Sequence, residues 1–397
     1  MKILLLHTHY LQKGGEDLVF SQDKELLSRS GEVHTLTFHN RSGWRGGLQF
    51  LASIWNIGAA KKLKKVIDEF KPDVVHLHNL HFAIGPIAIR TIRKKGIPMV
   101  ATLHNYRLVC PSTTLLFKGK VFTDSLKASF PLRAIGNKVY RNSTLQTFWL
   151  AFVVWVHKLL GTWKMVDRYI VLTEFARTVF NQSSFGVAAE RFVVKPNFVG
   201  TAPPTSPAGR KDFFLFVGRL SVEKGIEVLL EAFGRTDAKL LVVGEGPLKG
   251  LVEEACRQYP NIGYVGNLDS TGVIAIMQQC TALVFPSIWY EGMPMTLLES
   301  FATGTPVIAS KIGAMETMIV DGYNGIHFRS GTATDLVTSI RGWQTLSDGQ
   351  RAVFSANAVA TYEELYTPDD NLKRSLSIYQ SVIGTNQQVH LKTTLSC

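Results

Sequence analysis

Short, unbroken apolar runs recur along this chain, separated by helical patterns, and the whole series occurs twice. KILLLH, DVVHLH, MVATLH and RYIVLT in the first half are β-branched or leucine-rich and end at His or Thr. FFLFVG, KLLVVG, NIGYVG, ALVFPS and TPVIAS form the second series, several of them ending at Gly. Strands without polar alternation are buried on both faces, as in a parallel sheet whose crossovers are helices. Stretches such as IGAAKKLKKVIDEF, apolar at helical spacing, supply those helices. The pattern predicts an α/β chain of two doubly wound domains. The break falls at 199–210, VGTAPPTSPAGR, rich in the Pro, Gly, Ser and Thr of a linker. Residues 1–198 and 211–397 are the predicted domains, with the C-terminal helix expected to pack back on the first. Ligands of such sheets bind at the carboxyl ends of the strands, here expected in a cleft that the two domains face.

With 397 residues, the chain exceeds what one core usually fills; at 46% hydrophobic and 19% charged it is a folded, globular sequence. Cys110, Cys256, Cys280 and Cys397 lie far apart with no C-x-x-C pair, which fits a reducing, cytoplasmic setting. The opening MKILLLHTHY has too short an apolar run for a signal peptide and reads as a first strand. The net charge is +12, but residues 1–200 carry +16 and residues 201–397 carry −4. A basic half suggests an anionic partner. No nucleic-acid-binding motif accompanies it, which leaves an anionic membrane surface or a solvated basic face.

Residues 112–165 break the alternation and read as a basic, aromatic insertion. The apolar stretch Phe148–Val156 is far shorter than the roughly 20 residues of a membrane span. Trp149, Trp155 and Trp163 beside Lys158 and Lys164 fit either an interfacial helix or a buried one. KKLKK (61–65) is a second anionic contact or a plain solvated face.

The chemistry concentrates in the second half: VGRLSVEKG (217–225), VGEGP (243–247), YVGN (264–267) and EGMPMTLLESFATGTPVIAS (291–310). Each fragment is weak alone; in this order, near predicted strand ends, they are specific. Arg219 and Lys224 follow one strand within a short loop, where two cations can hold a phosphate and stabilise a leaving diphosphate. Glu291 and Glu299 are expected on one helix, which rises about 12 Å over eight residues. They would then reach opposite ends of an extended diphosphate ligand, carboxylates being suited to sugar hydroxyls. That helix start offers free N–H groups to the diphosphate. In the first half, Gly14-Gly15-Glu16 opens a helix where amides can meet a phosphate, and His104 ends a strand.

These residues together resemble the retaining glycosyltransferases of family 4, with the GT-B fold, over nearly the whole chain. Glu291 to Glu299 (E-x₇-E) and Gly218 to Gly225 carry the resemblance, and TLHNYRLVCPS with KPNFV is similar to bacterial polysaccharide and O-antigen transferases. The resemblance implies that Glu299 binds the nucleotide ribose and Glu291 the donor-sugar hydroxyls. Arg219 and Lys224 would bind the diphosphate, helped by Gly15, Gly218 and the amides around Gly292 and Met293. His104 would contact the sugar near its reacting carbon. Gly244, Glu245 and Tyr264–Gly266, with Val265, would line base and ribose. It further implies a metal-independent transferase with no cofactor, which uses a UDP- or GDP-linked sugar as co-substrate. The acceptor would be lipid-linked or an oligosaccharide, met at the inner face of the membrane in surface-polysaccharide synthesis. No D-x-D and no convincing His/Cys cluster is evident. Relatives often carry a G-K-V-C-x-x-C run; here GKVFTDSL places Phe122 and Ser125 at its cysteines, leaving Cys110 a lone thiol. The alternatives are a GT-B sugar-nucleotide epimerase and a non-catalytic, membrane-associated assembly factor of the same fold.

Overall fold

The apolar runs form two six-stranded sheets in which every ladder is parallel. The structure is a computed structural model that describes residues 1–11, 14–200 and 209–394, with side chains through 386. Most of the expected linker, 201–208, lies outside the described residues. The chain divides into two units: Met1–Thr113, Thr123–Pro196 and the chain from Asn371 on, and Thr114–Phe122 with Asn197–Asp370.

In the first unit the strands are β1 (Lys2–His9), β2 (Glu32–His39), β3 (Val74–Leu77) and β4 (Met99–Leu103). A hairpin of β5 (Leu116–Phe117) and β6 (Lys120–Val121), which clusters with the second unit, interrupts them before β7 (Arg168–Val171) and β8 (Phe192–Val194). The helices are α1 (Gly15–Leu27), α2 (Gly43–Ala52), α3 (Ile57–Phe70), α4 (Ile87–Lys94), α5 (Leu132–Gly136), α6 (Thr144–Leu159) and α7 (Glu174–Gln182). The strand order is β2-β1-β3-β4-β7-β8, reversing direction of growth between β1 and β3. Ile3, Leu5, Val74, Val100 and Ile170 form the core under one face.

In the second unit the strands are β9 (Phe214–Val217), β10 (Leu240–Val243), β11 (Ile262–Gly266), β12 (Ala282–Phe285), β13 (Val307–Ser310) and β14 (Gly325–Phe328). The helices are α8 (Ile226–Phe233), α9 (Lys249–Gln258), α10 (Ser270–Met277), α11 (Met295–Ala302), α12 (Ala314–Met318), α13 (Ala333–Gln344) and α14 (Asp348–Leu365). The order β11-β10-β9-β12-β13-β14 reverses between β9 and β12. Phe214, Phe216, Leu229, Phe233 and Trp343 are buried there. Each such side chain removed from water stabilises the fold by about 1.5–3 kcal/mol. The last helix, α15 (Pro368–Thr394), inserts Ile378, Tyr379 and Val382 into the core of the first unit.

The helix expected at IGAAKKLKKVIDEF is α3, capped by the Asn56 side chain on the Ala59 amide. Helix α2 has no counterpart in the sequence reading. Its run GWRGGLQFLA holds three glycines, whose helix propensity is low, and none of its residues is buried. Helix α6 is buried on one face and exposes apolar residues on the other, among them Leu145, Phe148 and Leu159. Leu150, Ala151, Val153 and His157 are buried. The three tryptophans are tied into the fold: Trp149 Nε1 donates to the Phe50 carbonyl (2.8 Å), Trp163 Nε1 to Val154 (3.1 Å), and Trp155 packs on Phe130.

Candidate functional site

The strand order of the second sheet reverses between β9 and β12, and the sequence motifs of the second unit follow the carboxyl ends of its strands, where ligands of such sheets bind. After β9 the chain passes Gly218 and Arg219 and makes a turn at Val222–Lys224 that ends at Gly225. Gly225 has φ +72°, and a Cβ there would sit 2.0 Å from the Pro286 carbonyl, so only glycine lets this turn approach the loop after β12. Ile288 N donates to the Glu223 carbonyl (3.0 Å), stitching the two segments together, and Ser287 Oγ lies 3.3 Å from the same oxygen.

On that scaffold Lys224 Nζ lies 2.6 Å from Glu291 Oε1, which also accepts from Ser287 Oγ at 2.6 Å. Glu291 is buried, while Lys224 keeps about a fifth of its side chain exposed and stacks over Phe285 and Trp289. Trp289 Nε1 is a buried donor with no partner among the described residues. Arg219 is exposed beside this cluster in sequence and forms no ion pair among the described residues. Ser287 and Trp289 were not singled out from sequence; their only signal was membership of the loop that carries Glu291.

The expected single helix bearing both glutamates is corrected. Helix α11 begins at Met295 after Pro294, so Glu291 stands in the preceding loop and only Glu299 is helical. The Glu–Lys contact pulls Glu291 back toward the β9 turn. Proline at the helix boundary stops the helix from extending toward it. Glu299 is half-buried, and burial pushes its carboxyl above the usual range. Gly292 is half-buried, and Met293 is buried with its sulfur 3.2 Å from the Asn197 amide.

Gly244 is an architectural residue as well. At φ +138° its Cβ would lie 1.8 Å from the Gly218 carbonyl, and its amide donates to Gly266 (2.8 Å). The ends of β9, β10 and β11 thus meet through backbone alone. Beside them the Tyr264 hydroxyl has two acceptors within reach of its one proton, the Gly244 carbonyl (3.0 Å) and Glu245 (3.2 Å), which also pairs with Lys249. Val265 is exposed.

In the first unit Gly14 and Gly15 begin α1, and a Cβ on either would meet nothing within 4 Å. The Gly14 amide is not free for a phosphate: it donates to Asp17 Oδ2 (3.0 Å). Asp17 Oδ1 accepts from His7 Nε2 (2.9 Å) and His9 Nδ1 (2.6 Å), which fixes the ring nitrogens that carry hydrogen. These three side chains are a group with ligand atoms within 4.8 Å of one another, a His/Asp cluster that the sequence reading missed because its members lie on β1 and α1. Burial lowers the His7 imidazole below its usual range. His104 follows β4, is half-buried, stands 3.4 Å from His78, and is likewise lowered by burial. Glu16 accepts from Tyr10 Oη (2.9 Å) and Asn105 Nδ2 (2.7 Å). Cys110 and Ser125 are buried and line one small pocket.

Comparison with known proteins adds three findings. A family profile described as "Glycosyltransferase Family 4" matches residues 13–202, and one described as "Glycosyl transferases group 1" matches residues 202–360. The chain is 24% identical over 341 residues to a glycosyltransferase of Methanocaldococcus jannaschii, spanning 85% of this chain and 83% of that one. It is 32% identical over 159 residues to the D-rhamnosyltransferase WbpZ of Pseudomonas aeruginosa, spanning 39% and 42% of the two chains. Among solved structures, HepE of Anabaena in complex with UDP superposes with a TM-score of 0.66 at 17% identity, covering 96% of this chain and 100% of that one. That last likeness is one of fold.

Proposed function

As the chain belongs to the family-4 glycosyltransferases of the GT-B fold, we propose that it is a retaining, metal-independent enzyme that moves a sugar from a UDP- or GDP-linked donor to a lipid-linked or oligosaccharide acceptor. Surface-polysaccharide synthesis is the proposed setting, supported by partial similarity to WbpZ and to an O-antigen chain mannosyltransferase of Escherichia coli. Peripheral placement on the inner face of the membrane is proposed with it. No helix among the described residues is long and apolar enough to cross a membrane.

The observation that carries this reading is the Lys224–Glu291–Ser287 cluster at the strand-order reversal, with the unpartnered Trp289 N–H and exposed Arg219 beside it. A buried donor without a protein partner costs free energy that a ligand can recover. In the proposed assignment Lys224 and Arg219 hold the donor diphosphate, Glu291 the sugar hydroxyls, and Glu299 the ribose. Gly244, Glu245 and Val265 line the nucleoside, and the backbone at Gly15, Gly218, Gly292 and Met293 adds amides. His104 is proposed to meet the transferred sugar.

The reaction breaks the bond between the anomeric carbon and the diphosphate oxygen. It forms a bond from that carbon to the acceptor oxygen on the same face. The acceptor proton passes to the leaving phosphate, whose developing charge Lys224 and Arg219 stabilise. A thermal-shift series with UDP, GDP, ADP and dTDP tests the donor assignment, because a bound nucleotide stabilises by mass action. A rise for one or two of them is expected; no rise for any at millimolar concentration would refute it.

A further inference from the structure

Arg107 is more than nine-tenths buried, yet its Nε and Nη1 have no partner among the described residues. Only Nη2 is used, donating to Tyr10 Oη at 3.3 Å, with the guanidinium 5.7 Å from the Tyr10 and Phe82 ring centres. A buried cation with two idle N–H groups is costly unless an anion completes it. The acid coupled to it through Tyr10, Glu16, is already engaged by Tyr10 and Asn105.

Arg107 lines an open depression between α2 and α6, as well as two smaller cavities; the lining of the depression includes Arg41 and Arg141 and, among the described residues, no Asp or Glu. Its walls are apolar and exposed: Trp44 (72%), Leu48 (59%) and Leu145 (74%). Trp44, Leu48 and Leu51 stand on successive turns of one α2 face, and α2 buries none of its residues. From Val33 to Ile67 the sequence has no acidic residue and six Lys or Arg. Guanidinium groups at the floor and rim with an apolar wall suit a ligand that is phosphate at one end and hydrocarbon at the other.

We propose that this depression binds the phosphate head of a lipid phosphate or diphosphate, with Arg107, Arg41 and Arg141 on the phosphate and the α2 face on the first part of the chain. The proposal deepens the lipid-linked acceptor named above and rests on that reading. In this site the lipid meets α2, with Trp149 of α6 on the opposite wall.

The test uses the full chain saturated with UDP, so that the donor site is filled, and calorimetric titration with three probes: farnesyl diphosphate, inorganic pyrophosphate and farnesol. Farnesyl diphosphate is expected to bind, with either half alone weaker by roughly tenfold or more. Arg107→Gln should lower its affinity by about tenfold or more, with Arg107→Lys intermediate. Trp44→Ser with Leu48→Ser, both exposed, should weaken farnesyl diphosphate but not pyrophosphate. No binding of farnesyl diphosphate, pyrophosphate binding as tight as the lipid, or an unaffected Arg107→Gln would each overturn the proposal. So would a solution dimer that the α2 variants dissolve, since a second copy would then occupy this face. The UDP thermal shift is read in parallel on every variant. Its loss in the wild type would count against the donor reading, whereas its persistence without lipid binding would count against this site alone.

Discussion

The Lys224 ammonium is held 2.6 Å from a buried Glu291 oxygen, across the point where the second sheet reverses its strand order. Two residues 67 positions apart are thereby made one unit, and the cation proposed for the diphosphate is already oriented before any ligand arrives. Arg219, exposed and outside any ion pair among the described residues, has no such preparation.

This difference separates two variants with the same expected kinetic defect. Lys224→Ala and Arg219→Ala should each lower turnover by about 10² or more. Only Lys224→Ala should also lower Tm, because it leaves Glu291 buried with Ser287 as its remaining partner, a loss of about 1–3 kcal/mol. Transferase assays with thermal melts check both. Turnover within a few-fold of wild type for both variants would refute the phosphate assignment.

Glu299 and Glu291 should part company in binding. Glu299→Gln is expected to weaken free nucleoside diphosphate, while Glu291→Gln mainly damages sugar transfer. Burial raises the Glu299 carboxyl, so its charged form opposes folding. The sign is that of a group whose stabilising contribution belongs to low pH and fades as pH rises through the folded value. At neutral pH the ligand-free Glu299→Gln protein should therefore melt higher, by about 1–3 °C. Calorimetry and melting curves measure the two effects; equal loss of diphosphate affinity in both variants would show the roles misassigned.

Two glycines of the site should respond oppositely to alanine. Gly244→Ala drives a Cβ to 1.8 Å from the Gly218 carbonyl at φ +138°, so the strand ends must separate and the second unit should be grossly destabilised. At Gly15 a Cβ meets nothing within 4 Å, and alanine is the better helix former. Gly15→Ala should keep or raise Tm yet lower activity if this backbone approaches a ligand. Normal activity in Gly15→Ala would remove Gly15 from the site.

The first unit should weaken in mild acid. Burial holds His76, His78 and His81 well below the usual imidazole range. His76 is fixed neutral between Tyr379 Oη and Thr102 Oγ1, each at 2.7 Å. The unfolded chain takes up protons near pH 6.5 while the folded one does not. Stability is thus full above that pH and falls below it, by about 1.4 kcal/mol per pH unit for each such group. Urea midpoints at pH 7.5, 6.5 and 5.5 should fall in that order, and a flat profile would contradict the assignment.

The two doubly wound sheets were legible in the sequence because a strand buried on both faces must be apolar throughout, and KILLLH or ALVFPS cannot be anything exposed. Helix α3 was legible for the same reason, its apolar residues recurring at the helical period. The motifs carrying Arg219, Lys224, Glu291 and Glu299 announced themselves by order along the chain, since each follows a strand. Tertiary structure decided the rest. Whether Glu291 continues the helix of Glu299 depends on a lysine after another strand and on Pro294, and local spacing does not encode a contact across a sheet. Helix α2 was invisible because glycine erases the propensity signal and its Trp44, Leu48 and Leu51 side chains stay exposed. In the sequence the insertion tryptophans fitted an interfacial or a buried helix alike; packing gave Trp149 and Trp163 carbonyl partners and Trp155 an aromatic one. Burial of Arg107 is likewise a property of the assembled fold: one-dimensional sequence records that a cation is present, and only packing determines that its Nε and Nη1 are buried without a partner among the described residues.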